Sequence, residues 1–141
     1  MLLPAAHSAV RMARQVARKF ARQAGVRGES LETLTLVVSE LLANAVDHGG
    51  GNAALEEQDL TSAVTMHLVL EASASGWKAQ VSDQGGGNPE DVRGRLQPGE
   101  LPDLDDERGR GFFLMVAMVD ELSVDRSVDG KGLTITAVKR A

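Results

Sequence analysis

The chain has 141 residues, 43% hydrophobic and 25% charged, with a formal net charge of −5, a balance that fits a soluble globular protein long enough to bury a core as one domain. It contains no Cys and no Tyr, and its aromatics are Phe20, Trp77, Phe112 and Phe113. Disulfides, thiolate metal sites and cysteine nucleophiles are therefore excluded, and the core has to be aliphatic. No apolar run reaches membrane-spanning length, and Arg11, Arg14, Arg18 and Lys19 break up any leader-like stretch, so a cytoplasmic protein without membrane association is expected.

Pro4 suits the first turn of a helix. From there to Ala24, Val10, Ala13, Ala17, Phe20 and Ala24 recur at three- and four-residue steps, with Arg11, Arg14, Arg18 and Arg22 on another face, which predicts an amphipathic helix ended by Gly25 and Gly28. Residues 1–28 hold six Lys/Arg and no acid, which leaves −11 for the rest. This basic stretch is either a solvated helix face or a docking face for an acidic partner protein. Direct nucleic-acid binding is disfavoured, because the remainder is acidic and no aromatics are interleaved for base stacking. Ser30 predicts the cap of a second helix, with Leu31, Leu34, Val38, Leu41, Leu42 and Ala45 as its apolar face and Gly49–Gly51 as its stop.

Residues 64–71 alternate and are rich in Val and Leu, predicting a strand, and Ser73–Gly76 is a turn leading to a second, antiparallel strand at Trp77–Ser82. Residues 88–108, broken by Pro89, Gly94 and Pro98, sustain no period and read as a long lid or binding loop. A short buried helix at Phe112–Val119 and two strands, Leu122–Ser127 and Gly132–Val138 around an Asp129-Gly130 turn, complete the chain. The order α, α, β, β, lid, α, β, β predicts an α+β fold: a two-layer α/β sandwich with one mixed, mainly antiparallel sheet and helices on one face, forming a single domain over 1–141.

Three segments carry chemistry. Glu40, Asn44 and His48 are stacked at i, i+4 and i+8 on the second helix. An Asn amide oxygen is a hard, neutral ligand suited to Mg²⁺, and a Glu one turn away can orient or deprotonate a nucleophile. The alternative is a plain solvent-exposed stripe, with His48 as a helix C-terminal cap. The second segment is Asp83-Gln84-Gly85-Gly86-Gly87, directly after a strand. Its glycines let the backbone approach a flat ligand, and an acceptor-only carboxylate favours the adenine amino group over the guanine carbonyl. The third is Gly109-Arg110-Gly111 at the head of a helix, an anion site with Arg108 and Arg110 adding positive charge. Taken singly, the last two also read as an Asp-Gly turn and a loop-to-helix junction.

In order and spacing the three segments resemble the GHKL (Bergerat-fold) ATPase superfamily. Glu40 and Asn44 match its N box, Asp83, Gly85 and Gly87 its Asp-x-Gly-x-Gly box, and Gly109 and Gly111 its second glycine box. Val38 to Gly50 and Gly109 to Val116 look most like the bacterial anti-sigma-factor serine kinases. The resemblance implies ATP and Mg²⁺ as cofactors, with Asn44 as the metal ligand and Glu40 as the base for a protein serine hydroxyl. It implies that Asp83, supported by Thr134, reads adenine and that Arg108, with Arg110 in reserve, touches the γ-phosphate. It further implies a sigma factor and an anti-sigma antagonist as partners, and a homodimer. Two alternatives stand beside it: a non-catalytic nucleotide-dependent binding module, and a histidine-kinase-type catalytic domain lacking its dimerisation helices. Related chains begin with a strand before Leu3-Pro4, so a missing or shortened N-terminal strand is expected here. There is no Walker A motif and no eukaryotic kinase signature.

Overall fold

The structure, a computed structural model, describes residues 1–49, 65–83, 115–127 and 132–140. The elements are β1 (Leu2–Pro4), α1 (His7–Gln23), α2 (Gly28–Gly49), β2 (Thr65–Ser73), β3 (Gly76–Ser82), β4 (Glu121–Arg126) and β5 (Leu133–Arg140). Residues 115–118 form a helical turn before β4. The predicted lid, the Asp129-Gly130 turn and the segment 50–64 lie outside the described residues.

The N-terminus departs from expectation. Pro4 does not open a helix; it ends β1, which pairs antiparallel with β2 (Leu2↔His67, Pro4↔Thr65). The N-terminal strand, expected to be missing or shortened, is present as the three residues Leu2–Pro4, a position at a sheet edge where Pro's missing N–H is tolerated. α1 begins after Ala6, whose extended backbone (φ −141°) makes no side-chain cap.

α1 buries Ala9, Ala13, Ala17 and Ala21, a four-residue repeat that drifts slowly around the helix. Phe20, expected inside, is 46% exposed. Four alanines let α1 lie close against α2, and the bulkier residues are turned to its flank. The helix ends in a Schellman turn: Val26 N–H donates to Ala21 O (3.0 Å) and Gly25 N–H to Arg22 O (3.2 Å). Gly25 has φ +105°, a left-handed conformation that calls for glycine, while a Cβ there would make only an ordinary contact with Ala74 at 3.4 Å. Val26 follows into the core, and α2 starts at once at Gly28, with Glu29 in its first turn. Ser30 is therefore inside the helix and not its cap.

α2 is the central helix, burying Leu31, Leu34, Val37, Val38, Leu41, Leu42, Ala45 and Val46. At roughly 1.5–3 kcal/mol per large side chain removed from water, this face is the main adhesive of the fold. It packs on β2, β3 and β5, while α1 packs on α2 and β2. Arg18 of α1 ties the two helices on the outside, with its guanidinium 2.7 Å from Glu32 Oε1 and 3.2 Å from Thr35 Oγ1.

The sheet has the order β1-β2-β3-β5-β4. Every pairing among the described residues is antiparallel, not mixed. β5 enters between β3 and β4, leaving β1 and β4 as the edges. Strand alternation turns Met66, Leu68, Trp77, Ala79, Val81, Leu133, Ile135 and Ala137 into the core beneath the helices. The opposite face carries His67, Gln80, Ser82, Thr134 and Thr136.

Candidate functional site

Glu40 and Asn44 lie one turn apart on α2, both half-buried. Asp83 follows β3 and is 7% exposed. The fold brings the two places to one end of the molecule. Gly25, just before α2, lies beside the β2–β3 turn, where a Cβ on it would reach Ala74 at 3.4 Å, so α2 and β3 start together and α2 packs along β3. A helix rises ~1.5 Å per residue and a strand ~3.3 Å. Glu40 and Asn44 therefore come roughly 18 and 24 Å along α2, and Asp83 roughly 23 Å along β3.

Asp83 continues the inward alternation of Trp77, Ala79 and Val81, so it belongs to the helix-facing side of the sheet. It is held by Leu133 across the ladder: Asp83 N–H donates to Leu133 O at 2.9 Å, and Leu133 N–H donates to Asp83 Oδ1 at 3.2 Å. Thr134 falls on the other face. Its hydroxyl is 2.8 Å from that of Ser82, its register partner. The support expected of Thr134 is accordingly supplied by the Leu133 backbone, because a one-residue step along a strand reverses the side chain.

Two residues of this cradle escaped the sequence reading. A Cβ at Gly132 would stand 2.2 Å from Asp83 O and 2.4 Å from its Oδ1. Ser127 clasps the same glycine: Gly132 N–H donates to Ser127 Oγ (3.0 Å) and Ser127 N–H to Gly132 O (2.8 Å). The signal in the sequence was a glycine immediately before a strand, read only as a strand start.

Burial pushes the Glu40 carboxyl above its ordinary value, since desolvation penalises the charged form. Asn44 Oδ1 is buried and makes no hydrogen bond. An orphaned acceptor of that kind costs about 1–3 kcal/mol. A half-buried carboxylate followed one turn later by an unsatisfied amide oxygen is a donor set for a hard cation. Among the described residues no cluster of three His, Cys, Asp or Glu could hold a metal by protein ligands alone. A cation here would need further oxygens from a ligand.

A hollow of about 650 Å³ on the other face is bordered by His67, Gln80, Ser82, Asp83, Asp125 and Thr134 among others, but not by Glu40 or Asn44. It lies behind the sheet, on the face turned away from the helices. Gly85, Gly87, Arg108, Gly109, Arg110 and Gly111 lie outside the described residues, as does the side chain of His48.

A model of the histidine kinase-like ATPase domain matches residues 3–139, and the chain belongs to that family. Domains of this family bind ATP, usually with Mg²⁺. No curated protein matches the chain. Among solved structures it is similar to a mycobacterial sensor histidine kinase, MprB, at 16% identity and a TM-score of 0.50, over 93% of this chain and 91% of that one. At that identity the likeness bears on the fold. No helix among the described residues is long and apolar enough to cross a membrane.

Proposed function

We propose that the chain is a single cytoplasmic Mg²⁺-ATP-binding domain that transfers the γ-phosphoryl group to a serine of a partner protein. The observation that carries this is the buried, unpartnered Oδ1 of Asn44 one turn beyond the desolvated carboxyl of Glu40. Asn44 would hold Mg²⁺, which when bound neutralises phosphate charge and aligns the transferred group. Asp83 accepts a hydrogen bond from the adenine amino group; Gly132 gives it room and the Leu133 N–H fixes its carboxylate. Glu40 accepts the serine proton, and its raised pKa brings it nearer the operating pH. Gly85, Gly87, Gly109 and Gly111 would let backbone approach the nucleotide, and Arg108, with Arg110 in reserve, would meet the γ-phosphate.

The Val38–Gly50 and Gly109–Val116 segments favour a regulatory role of the anti-sigma type, with the antagonist as phosphoacceptor, a sigma factor as the sequestered partner, and a homodimer as the working form. The test incubates the purified chain with labelled ATP and candidate antagonist proteins. Acid-stable phosphoserine, lost in Glu40→Gln, is expected. ATP binding without transfer to any candidate would leave a nucleotide-dependent binding module, and acid-labile self-phosphorylation would point to histidine-kinase chemistry.

A further inference from the structure

The chain enters β5 between two side chains. The last pair of the β4–β5 ladder is Arg126↔Leu133, and Ser127 and Gly132 stand next in register. A hydrogen-bonded antiparallel pair ordinarily exchanges two backbone bonds. Here one is backbone, Ser127 N–H to Gly132 O at 2.8 Å, and the return bond runs from Gly132 N–H to the Ser127 hydroxyl at 3.0 Å. The other side repeats the pattern. Beyond Ser82↔Thr134, the last β3–β5 pair, Asp83 N–H donates to Leu133 O at 2.9 Å and Leu133 N–H returns to Asp83 Oδ1 at 3.2 Å. The N–H groups of Gly132 and Leu133 are thus accepted by side chains, one after β4 and one after β3. Ser127 and Asp83 are each 7% exposed, so water is a poor substitute for either acceptor. Between them the Gly132 backbone has no slack, since a Cβ on it would stand 2.2 Å from Asp83 O and 2.4 Å from Asp83 Oδ1.

We infer that Ser127 is a positioning residue for purine selection: its hydroxyl fixes the Gly132 N–H and, through the Gly132–Leu133 peptide, sets where the Asp83 carboxylate stands. The inference rests on the proposed reading of adenine by Asp83, and Ser127 acts through Gly132 rather than on the nucleotide. A hydroxyl that only closed the β4–β5 connection would support stability and leave purine preference alone. Removing this one leaves a buried N–H without its acceptor, and the residue that must adjust is the glycine packed on the carboxylate. A hydrogen bond to a base edge weakens steeply as its distance and angle depart from the optimum. A displaced Asp83 therefore loses affinity for the purine with an amino donor, and has nothing to lose toward the one with a carbonyl. Ser127→Thr keeps an acceptor at the same place; Ser127→Ala does not.

The test measures ATP and GTP affinities by calorimetry for the wild type, Ser127→Ala, Ser127→Thr and Ala13→Leu, the last a core variant that destabilises the fold from α1. Ser127→Ala is expected to lose about tenfold in ATP affinity and to keep its GTP affinity, so that the purine preference falls by the same factor. Ser127→Thr and Ala13→Leu should keep the wild-type ratio. A Ser127→Ala protein with the wild-type ratio, or with a ratio no lower than that of Ala13→Leu, overturns the proposal and leaves Asp83 as the base reader. A loss in Ser127→Thr as large as in Ser127→Ala overturns it too, because the hydroxyl would not be the cause. A wild type without purine preference overturns both the proposal and the reading it rests on. Amide hydrogen exchange on the wild type needs no variant to fold. The Gly132 N–H should be protected, and slowed further by saturating ATP than by saturating GTP; exchange as free as that of an amide without an acceptor, or an equal response to the two nucleotides, contradicts the proposal.

Discussion

Gly132 lies so close to Asp83 that a methyl group on it would meet the Asp83 carbonyl oxygen at 2.2 Å and its carboxylate at 2.4 Å. The Asp83 carboxylate, proposed to read the base, is thus seated on a glycine from another strand region, and its position is a property of two chain segments 49 residues apart in sequence.

Gly132→Ala is expected to destabilise the fold by about 1–3 kcal/mol, the usual cost of overpacking. It should also weaken ATP more than that loss explains, because Asp83 is displaced. Chemical denaturation with ATP titration on the folded variant reads both effects. A variant that binds ATP as the wild type does would remove the cradle from the account.

Asn44→Ala removes an unsatisfied acceptor and substitutes a better helix former, so the melting temperature should hold or rise. Mg²⁺-dependent ATP affinity should fall about tenfold or more. A drop in stability would mean that Asn44 Oδ1 had a partner of its own; unchanged affinity would mean that the metal sits elsewhere.

At Glu40 burial favours the protonated form in the folded state. Folding is then unburdened below the carboxyl's unfolded pKa, and the stability is lost as pH rises through the higher folded value. Glu40→Gln should raise the melting temperature at pH 7 and leave it unchanged near pH 4. The same substitution should reduce phosphoryl transfer about a hundredfold or more. Wild-type transfer should fall as pH drops through the raised value, because the base works as carboxylate. Equal melting temperatures at pH 7 would show that the carboxyl is well solvated.

Ala13 is fully buried between α1 and its neighbours, where only a methyl fits. Ala13→Leu should cost about 1–3 kcal/mol in denaturant unfolding. The exposed Met12→Leu should be nearly neutral. Equal behaviour would mean that α1 packs on a different face.

The strands and α2 were legible because their signals are local: alternation in β2 and β3, and a wide apolar face on Leu31 through Ala45. The placement of Glu40 on a helix and of Asp83 at a strand end was legible from the local pattern of their segments. What failed depended on tertiary context. Pro4 reads as a helix opener until β2 offers it an edge to pair with. Phe20 reads as core until four alanines prove to be the face that fits α2. Thr134 was assigned to Asp83 because a one-residue register is invisible in the sequence, and the register sends it to Ser82 instead. Gly132 carried no special mark because its need arises from Asp83, on a different strand.

The most direct test is a calorimetric titration of ATP and of GTP, each with and without Mg²⁺, against the wild type, Asn44→Ala and Asp83→Asn. The wild type should bind ATP well above GTP and bind it more tightly with Mg²⁺; the magnesium gain should vanish in Asn44→Ala and the purine preference in Asp83→Asn. Equal affinity for the two nucleotides, or variants that titrate like the wild type, would contradict a nucleotide held between α2 and the end of β3.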